Sequence, residues 1–215
     1  MQYLSRDHFI VDRARGKKIL HLGCVGFADL DTDDRISRAS ESLHYTLTQV
    51  AEVTGVDYSH EAINYFRRQG VFDNVVFGNV EQLERLDTNE TFDLIVAGDI
   101  IEHLSSPGLM LDGLKRFAMP STEILITTPH SFGILGFLRY VFGTFSEGAE
   151  HVMTFNMENI RNLLERHGFE TIAIHTCYQK NAAQARLFRM GRAFFERFPK
   201  YGGTLLVLAR IRKDL

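Results

Sequence analysis

Much of what would mark this chain for a specialised setting is missing. It has two cysteines in 215 residues, Cys24 and Cys177, too few for a disulfide framework and not at the spacing of a metal-ligand pair. A reducing compartment, the cytoplasm, is the expected setting. Residues 1–16 are polar and charged, without the apolar stretch of a secretory signal, and no later run is long enough to span a bilayer. The expectation is a soluble protein. An excess of one charge sign is lacking too. The 24 Lys and Arg against 27 Asp and Glu leave a formal net charge of -3, which argues against a dedicated nucleic-acid binder. There is no internal repeat and no low-complexity tract.

What is present is enough apolar material, 45% of the residues, to bury one substantial core. One domain is expected over residues 1–215. Ile19, Leu20 and Leu22 form a short strand that can be covered on both faces, and it runs into the turn Gly23-Cys24-Val25-Gly26-Phe27. The turn lacks the full G-x-G-x-x-G spacing. After a polar loop at 28–34, residues 35–51 carry Ile36, Ala39, Leu43, Leu47 and Val50 at helical spacing. Residues 52–57 read as a second strand, and Ser59 as the cap of a helix holding Ala62, Ile63 and Phe66, which Gly70 stops. Strands at 75–77 and 92–97, a helix at 108–117 and a strand at 123–128 ended by Pro129 continue the alternation. A helix at 157–167 and strands at 171–175 and 204–210 complete it. The pattern implies a mostly parallel sheet with helices on both faces. Two insertions interrupt it, a lid-like one at about 130–152 and a second at about 181–203.

In open α/β sheets ligands bind beyond the carboxyl ends of the strands. The residues there are Gly23 and Gly26; Asp57; Asn79; Asp99, Glu102 and His103; and 128–131. A carboxylate closing the second strand can accept hydrogen bonds from both vicinal hydroxyls of a ribose. Asp57 therefore selects for an adenosine-type ligand and would repel a 2′-phosphate.

These residues resemble the class I S-adenosylmethionine-dependent methyltransferases, in particular the small-molecule group called type 11. The resemblance covers most of the chain and rests on Ile19-Leu20-His21-Leu22-Gly23-Cys24, Gly55-Val56-Asp57-Tyr58-Ser59, Phe92-Asp93-Leu94-Ile95-Val96-Ala97-Gly98-Asp99, Ile101-Glu102-His103-Leu104, Thr128-Pro129-His130 and His167-Gly168-Phe169-Glu170. It implies a Rossmann-like, seven-stranded, mostly parallel sheet whose last strand is antiparallel, with S-adenosyl-L-methionine as cofactor. The methionine part would lie against Gly23, Cys24 and Gly26, the ribose on Asp57, and the adenine against Tyr58, Asn79 and Val80. Asp99 would line the reactive end. Asn79 stands where the family commonly has an aspartate. The family's first-strand acid is His21 here, and two of its glycines are Val25 and Phe27.

Methyl transfer asks chiefly for alignment, because a sulfonium methyl is already electrophilic. A hydroxyl acceptor gains from a general base, and His103, His130 and His151 are the candidates. His44 reads as packing or surface, and Cys24 as a buried filler. No metal site is assigned, although Glu102, His103 and His130 could converge in space. Phe132, Phe137, Tyr140, Phe142 and Phe145 read either as core or as a roof over an acceptor. Residues 186–198 alternate arginines with large apolar residues, which gives a sheet-packing helix or a surface for anionic lipid or phosphate. The expected partner is a small-molecule or glycan-type acceptor, methylated at oxygen, with no nucleic acid. The rivals are a non-catalytic cofactor-binding scaffold and a nicotinamide-dependent oxidoreductase.

Overall fold

Hydrophobic strands separated by amphipathic helices assemble into an eight-stranded sheet in the order β1-β7-β8-β6-β5-β2-β3-β4. The computed structural model describes residues 1–26, 32–144, 148, 150–178 and 186–213. The expectations for Phe27, for 28–31 of the polar loop, for Phe145 and for 181–185 of the second insertion lie outside the described residues. The strands are β1 (Tyr3–Ser5), β2 (Lys18–Leu22), β3 (Glu52–Asp57), β4 (Val75–Phe77), β5 (Phe92–Gly98), β6 (Ala118–Pro129), β7 (Phe169–Tyr178) and β8 (Thr204–Ile211). Only β8 runs against its neighbours, β6 and β7. The expected architecture is therefore present with one strand more. The added strand is β1, which pairs parallel to β7 with Tyr3 opposite Thr176. Its polar flanks hid it from a reading based on apolar runs.

Alternation along the central strands divides the core. On β5, Ile95 and Ala97 face one side, where Met110, Leu111 and Leu114 of α5 (Pro107–Leu114) and Ile160 and Leu164 of α7 (Met157–Arg166) cover them. Leu94 and Val96 face the other, against Ile10 and Ala14 of α1 (Arg6–Ala14) and Leu47 of α3 (Leu43–Thr48). This period of two on strands feeding both faces is what a parallel sheet with two helical layers requires.

The helix expected over 35–51 is two helices, α2 (Thr32–Ser40) and α3. Ser42 makes the break: its hydroxyl donates to Ala39 O at 2.7 Å and accepts from Tyr45 N–H at 3.1 Å. A serine that bonds its own neighbourhood offers the backbone an alternative to the helical ladder. Ser59 caps α4 (His60–Arg68) through Ala62 N–H at 3.2 Å, as expected, and Gly70 takes the left-handed conformation at its end. The strand read as 123–128 starts at Ala118, because Phe92 pairs with Ala118 before an irregularity restores register at Leu94 and Glu123. Two further helices, α6 (Ile134–Val141) and α8 (Arg186–Arg197), lie in the two insertions. Among the described residues no helix is long and apolar enough to cross a membrane.

Candidate active site

The carboxyl ends of β2 and β3 meet at a single carboxylate. Asp57 is buried, and its Oδ2 accepts from Val25 N–H at 2.8 Å while Oδ1 accepts from Ser59 N–H at 3.1 Å. The acid thereby ties the turn after β2 to the entry of α4. Burial pushes its carboxyl pKa up, and the backbone donors from Val25, Ser59 and Tyr58 oppose that shift.

Gly23 takes φ +63°, and a Cβ there would stand 2.5 Å from Cδ1 of Ile100. Only glycine allows both that turn and that approach of the segment after β5. Val25 is buried with Cys24, Ala39, Ala62, Ile63 and Phe66. The residue in a family glycine's place is thus packed between α2 and α4. Cys24 is buried as expected, and burial drives its thiol pKa far upward, which makes it an inert filler.

His21 also stands at a departure from the family pattern, and its partner is His44. The two Nδ1 atoms lie 3.1 Å apart with the rings stacked. Asn74 Nδ2 donates to Val53 O at 2.8 Å, so its Oδ1 faces His44 Nε2 at 3.3 Å. His44 therefore donates from Nε2 and accepts at Nδ1 from His21. Desolvation lowers the pKa of both, His44 to about 4 and His21 well below the usual value. His44 is part of a buried polar pair rather than plain packing, which its helical position did not reveal.

Tyr58, after β3, is exposed and Val80, after β4, is buried. Asn79 is exposed, and its Oδ1 accepts from Glu81 N–H at 2.9 Å as the cap of the 3₁₀ segment Val80–Arg85.

Past β5, Asp99 takes φ +50°, an uncommon conformation for a residue with a side chain. Thr127 and Arg6 hold it: its N–H donates to Thr127 O at 3.0 Å and to Thr127 Oγ1 at 3.2 Å, Thr127 Oγ1 donates to its Oδ1 at 2.9 Å, and Arg6 Nη1 donates to its Oδ2. Arg6, brought there by β1 and the start of α1, was not legible as a site residue. Its signal lay in the pairing of β1 with β7, not in any motif.

Three residues on, the buried Glu102 accepts from Thr128 Oγ1 at 2.9 Å. Its carbonyl accepts from Val152 N–H at 3.0 Å and Met153 N–H at 3.1 Å, which draws 150–153 over this end of the sheet. His103 and His151 meet edge to face, 4.7 Å between ring centres, and Glu150 Oε2 lies 3.8 Å from His103 Nδ1. The ligand atoms of Glu102, His103 and His151 fall within 4.8 Å of one another. The expected convergence on Glu102 and His103 is thus completed by His151, and His130 sits elsewhere.

His130 is buried with Nδ1 2.9 Å from Gly202 O. A carbonyl cannot donate, so Nδ1 carries the proton and Nε2 keeps its lone pair. Desolvation holds its pKa below the ordinary value despite that hydrogen bond. The aromatic stretch does not join the core: Phe132, Phe137, Tyr140 and Phe142 are 57–75% exposed, and no residue of α6 is buried.

A parallel sheet with one antiparallel strand, a glycine turn after β2 and a carboxylate closing β3 defines the class, the S-adenosylmethionine-dependent methyltransferases of class I. The methyltransferase domain family matches residues 29–174, and the chain belongs to it. The mitochondrial ubiquinone biosynthesis O-methyltransferase of Schizosaccharomyces pombe (strain 972 / ATCC 24843) is 27% identical over 117 residues, 53% of this chain and 38% of that protein. The chain thus spans well under half the length of that curated relative. Among solved structures, an S-adenosylmethionine-dependent methyltransferase from Clostridium acetobutylicum ATCC 824 is similar with TM-score 0.62 and 14% identity, covering 96% of this chain and 90% of that one. Magnesium protoporphyrin IX methyltransferase from Synechocystis PCC 6803, with bound S-adenosylhomocysteine, has TM-score 0.59 and 15% identity over 96% and 82% of the two chains.

Proposed function

We propose that this protein transfers the methyl group of S-adenosyl-L-methionine to an oxygen of a small-molecule acceptor. The observation that carries the reading is the Asp57 carboxylate, closing β3 and bonded to the Val25 N–H of the glycine turn. A carboxylate held there presents its remaining lone pairs to two ribose hydroxyls while the turn passes beside the methionine end. In this reading Gly23, Cys24 and Gly26 border the methionine portion, Tyr58 stacks on the adenine, and Asn79 and the Val80 backbone meet its edge.

His130 is the base, with His103 and His151 given a different task below. Neutral at physiological pH and with its Nδ1 proton pinned on Gly202, it offers Nε2 to the acceptor hydroxyl. The O–CH3 bond forms as the S–CH3 bond breaks, the hydroxyl proton passes to His130, and S-adenosylhomocysteine leaves. The O-methyltransferase relative supports oxygen as the attacked atom. The exposed apolar face of α6 supports an acceptor with a large apolar part, roofed by the lid at about 130–152. The buried state of both cysteines suits a cytoplasmic setting, with peripheral membrane contact through 186–198 and no further domain in 1–215.

Calorimetry with S-adenosylhomocysteine tests the cofactor half of the reading: saturable binding by the native chain, lost in Asp57→Ala, is expected. Equal affinity of the two proteins would remove its basis. A panel of hydroxylated aromatic and sugar acceptors with labelled cofactor tests the rest, and binding without transfer would favour a scaffold.

A further inference from the structure

We infer that Glu102, His103 and His151 form a binding site for a divalent first-row transition cation, in a position where it would hold the oxygen of an acceptor. Two segments distant in sequence build it. Glu102-His103 follows β5, Glu150-His151 follows α6, and the two N–H groups of Val152 and Met153 on Glu102 O fix their register. That register puts the His151 ring edge-on to His103 and brings three ligand atoms from three side chains within 4.8 Å.

The donor set has a definite chemistry. Two imidazoles and one carboxylate suit borderline cations such as Zn2+, Co2+ and Fe2+, and three protein ligands leave positions open for water or substrate. Calcium and magnesium prefer all-oxygen sites. Bound at ligand distances near 2.1 Å, the three atoms would stand about 3.4 Å apart in a tetrahedral site, so a modest rotation of the two rings closes the set.

A further observation points to a ligand. Among the described residues His151 Nδ1 is buried with no hydrogen-bond partner, a condition that costs roughly 1–3 kcal/mol unless something meets the atom. A cation meets it, with the buried Glu102 as the carboxylate donor beside it. Glu150, 3.8 Å from His103 Nδ1, supplies the outer carboxylate that orients a ligating imidazole, and Thr128 Oγ1 performs that service for Glu102. The cluster begins three residues past Asp99, at the carboxyl end of β5. A cation there would lower the pKa of a coordinated acceptor hydroxyl. That last role rests on the proposed methyl transfer; the cation site does not.

The test is direct metal binding by the full chain after dialysis against a chelator. Titration with Co2+, followed by its visible absorption, and with Zn2+ by calorimetry should show one saturable equivalent. His103→Ala and His151→Ala should each weaken Zn2+ about 100-fold or more, Glu102→Gln about 10-fold or more, and the exposed His8→Ala not at all. S-adenosylhomocysteine affinity, measured on the same samples, should persist in every variant, which shows that they remain folded. No saturable uptake at about 1 mM metal, a concentration far above that of any useful site, would overturn the inference, as would uptake that both histidine variants leave unchanged. Cation binding without S-adenosylhomocysteine binding would instead overturn the methyl-transfer reading and leave the cation site standing.

Discussion

The two halves of the sheet's carboxyl edge are built on different principles. At the ends of β3 and β4 the carboxylate and the amide are committed to the protein's own backbone, Asp57 to Val25 and Ser59 and Asn79 to Glu81, with the His21–His44 pair behind them. At β5 and β6 side chains meet side chains across segments, Arg6 with Asp99, Thr128 with Glu102, His103 with His151, and the apolar face of α6, which follows β6, is uncovered. Backbone bonds preorganise the first half for one ligand whose shape never changes. The second half can be re-equipped by altering a few side chains, and the proposed reading puts acceptor choice there.

The largest way to break that contrast lies in the first half. Asp57→Ala removes the acceptor of two backbone N–H groups and, in the proposed reading, of the ribose hydroxyls, and hydrogen bonds to a charged group contribute about 1.5–3 kcal/mol each. S-adenosylhomocysteine affinity should fall about 1,000-fold, roughly 4 kcal/mol. Asp57→Asn, which keeps the shape, should recover part of it. Calorimetry on both variants checks the order; a loss confined to the β5 side would reverse the assignment of the halves.

The pair behind the glycine turn gives the next largest effect. In the unfolded chain both His21 and His44 titrate near 6.5, while in the folded protein His44 takes its proton only at about pH 4 and burial holds His21 well below its ordinary value. Between those values the unfolded state binds more protons, so stability is fully present above pH 6.5 and falls as the pH drops toward 4. At about 1.4 kcal/mol per pKa unit, the loss is on the order of 3 kcal/mol for His44. Urea midpoints from pH 7.5 to 4.5 measure it, and His44→Leu should flatten the slope. An unchanged slope would sink the pair as its source.

Much of the first half was legible because its function needs residue types at fixed offsets along single segments. A glycine after an apolar strand, an acid closing the next, and Ser59 two residues later all act within a few residues of one another, and each took its expected place in the fold. The second half was legible only in part. Glu102 and His103 announce themselves after β5, but their companion His151 lies 48 positions on and arrives through backbone bonds to a carbonyl, which carry no side-chain signature. Arg6 depends on a three-residue strand with polar flanks, and α2 and α3 separate because one serine hydroxyl outcompetes helical continuity. His21 looked like damage to a motif, and becomes intelligible only beside His44, on a different helix.

Within the second half the larger effect belongs to His130. Replacing a general base typically costs 100-fold or more, so His130→Ala should lower kcat about 100-fold while S-adenosylhomocysteine affinity stays unchanged. Since its pKa lies below 6.5, the native kcat should hold at neutral pH and fall as acid protonates Nε2; the variant should lose that limb. A proportionate loss of cofactor affinity would instead merge the two halves into one unit.

Arg6 offers the smallest and sharpest test of their independence. Its guanidinium is 15% exposed and bridges Asp7 and Asp99, but Asp99 keeps its contacts with Thr127 when the arginine is gone. A partly buried ion pair of this kind contributes about 1 kcal/mol, and Arg6→Ala should lower stability by about that amount. In the proposed reading Asp99 lies at the cofactor's reactive end and Asp57 at its ribose, so the cofactor would span both halves. If they are separately built, the effects of Arg6→Ala and Asp57→Asn on S-adenosylhomocysteine binding should add within about 0.5 kcal/mol. A larger coupling would show that β1 and α1, the segment least visible in the sequence, help to set the ribose end as well.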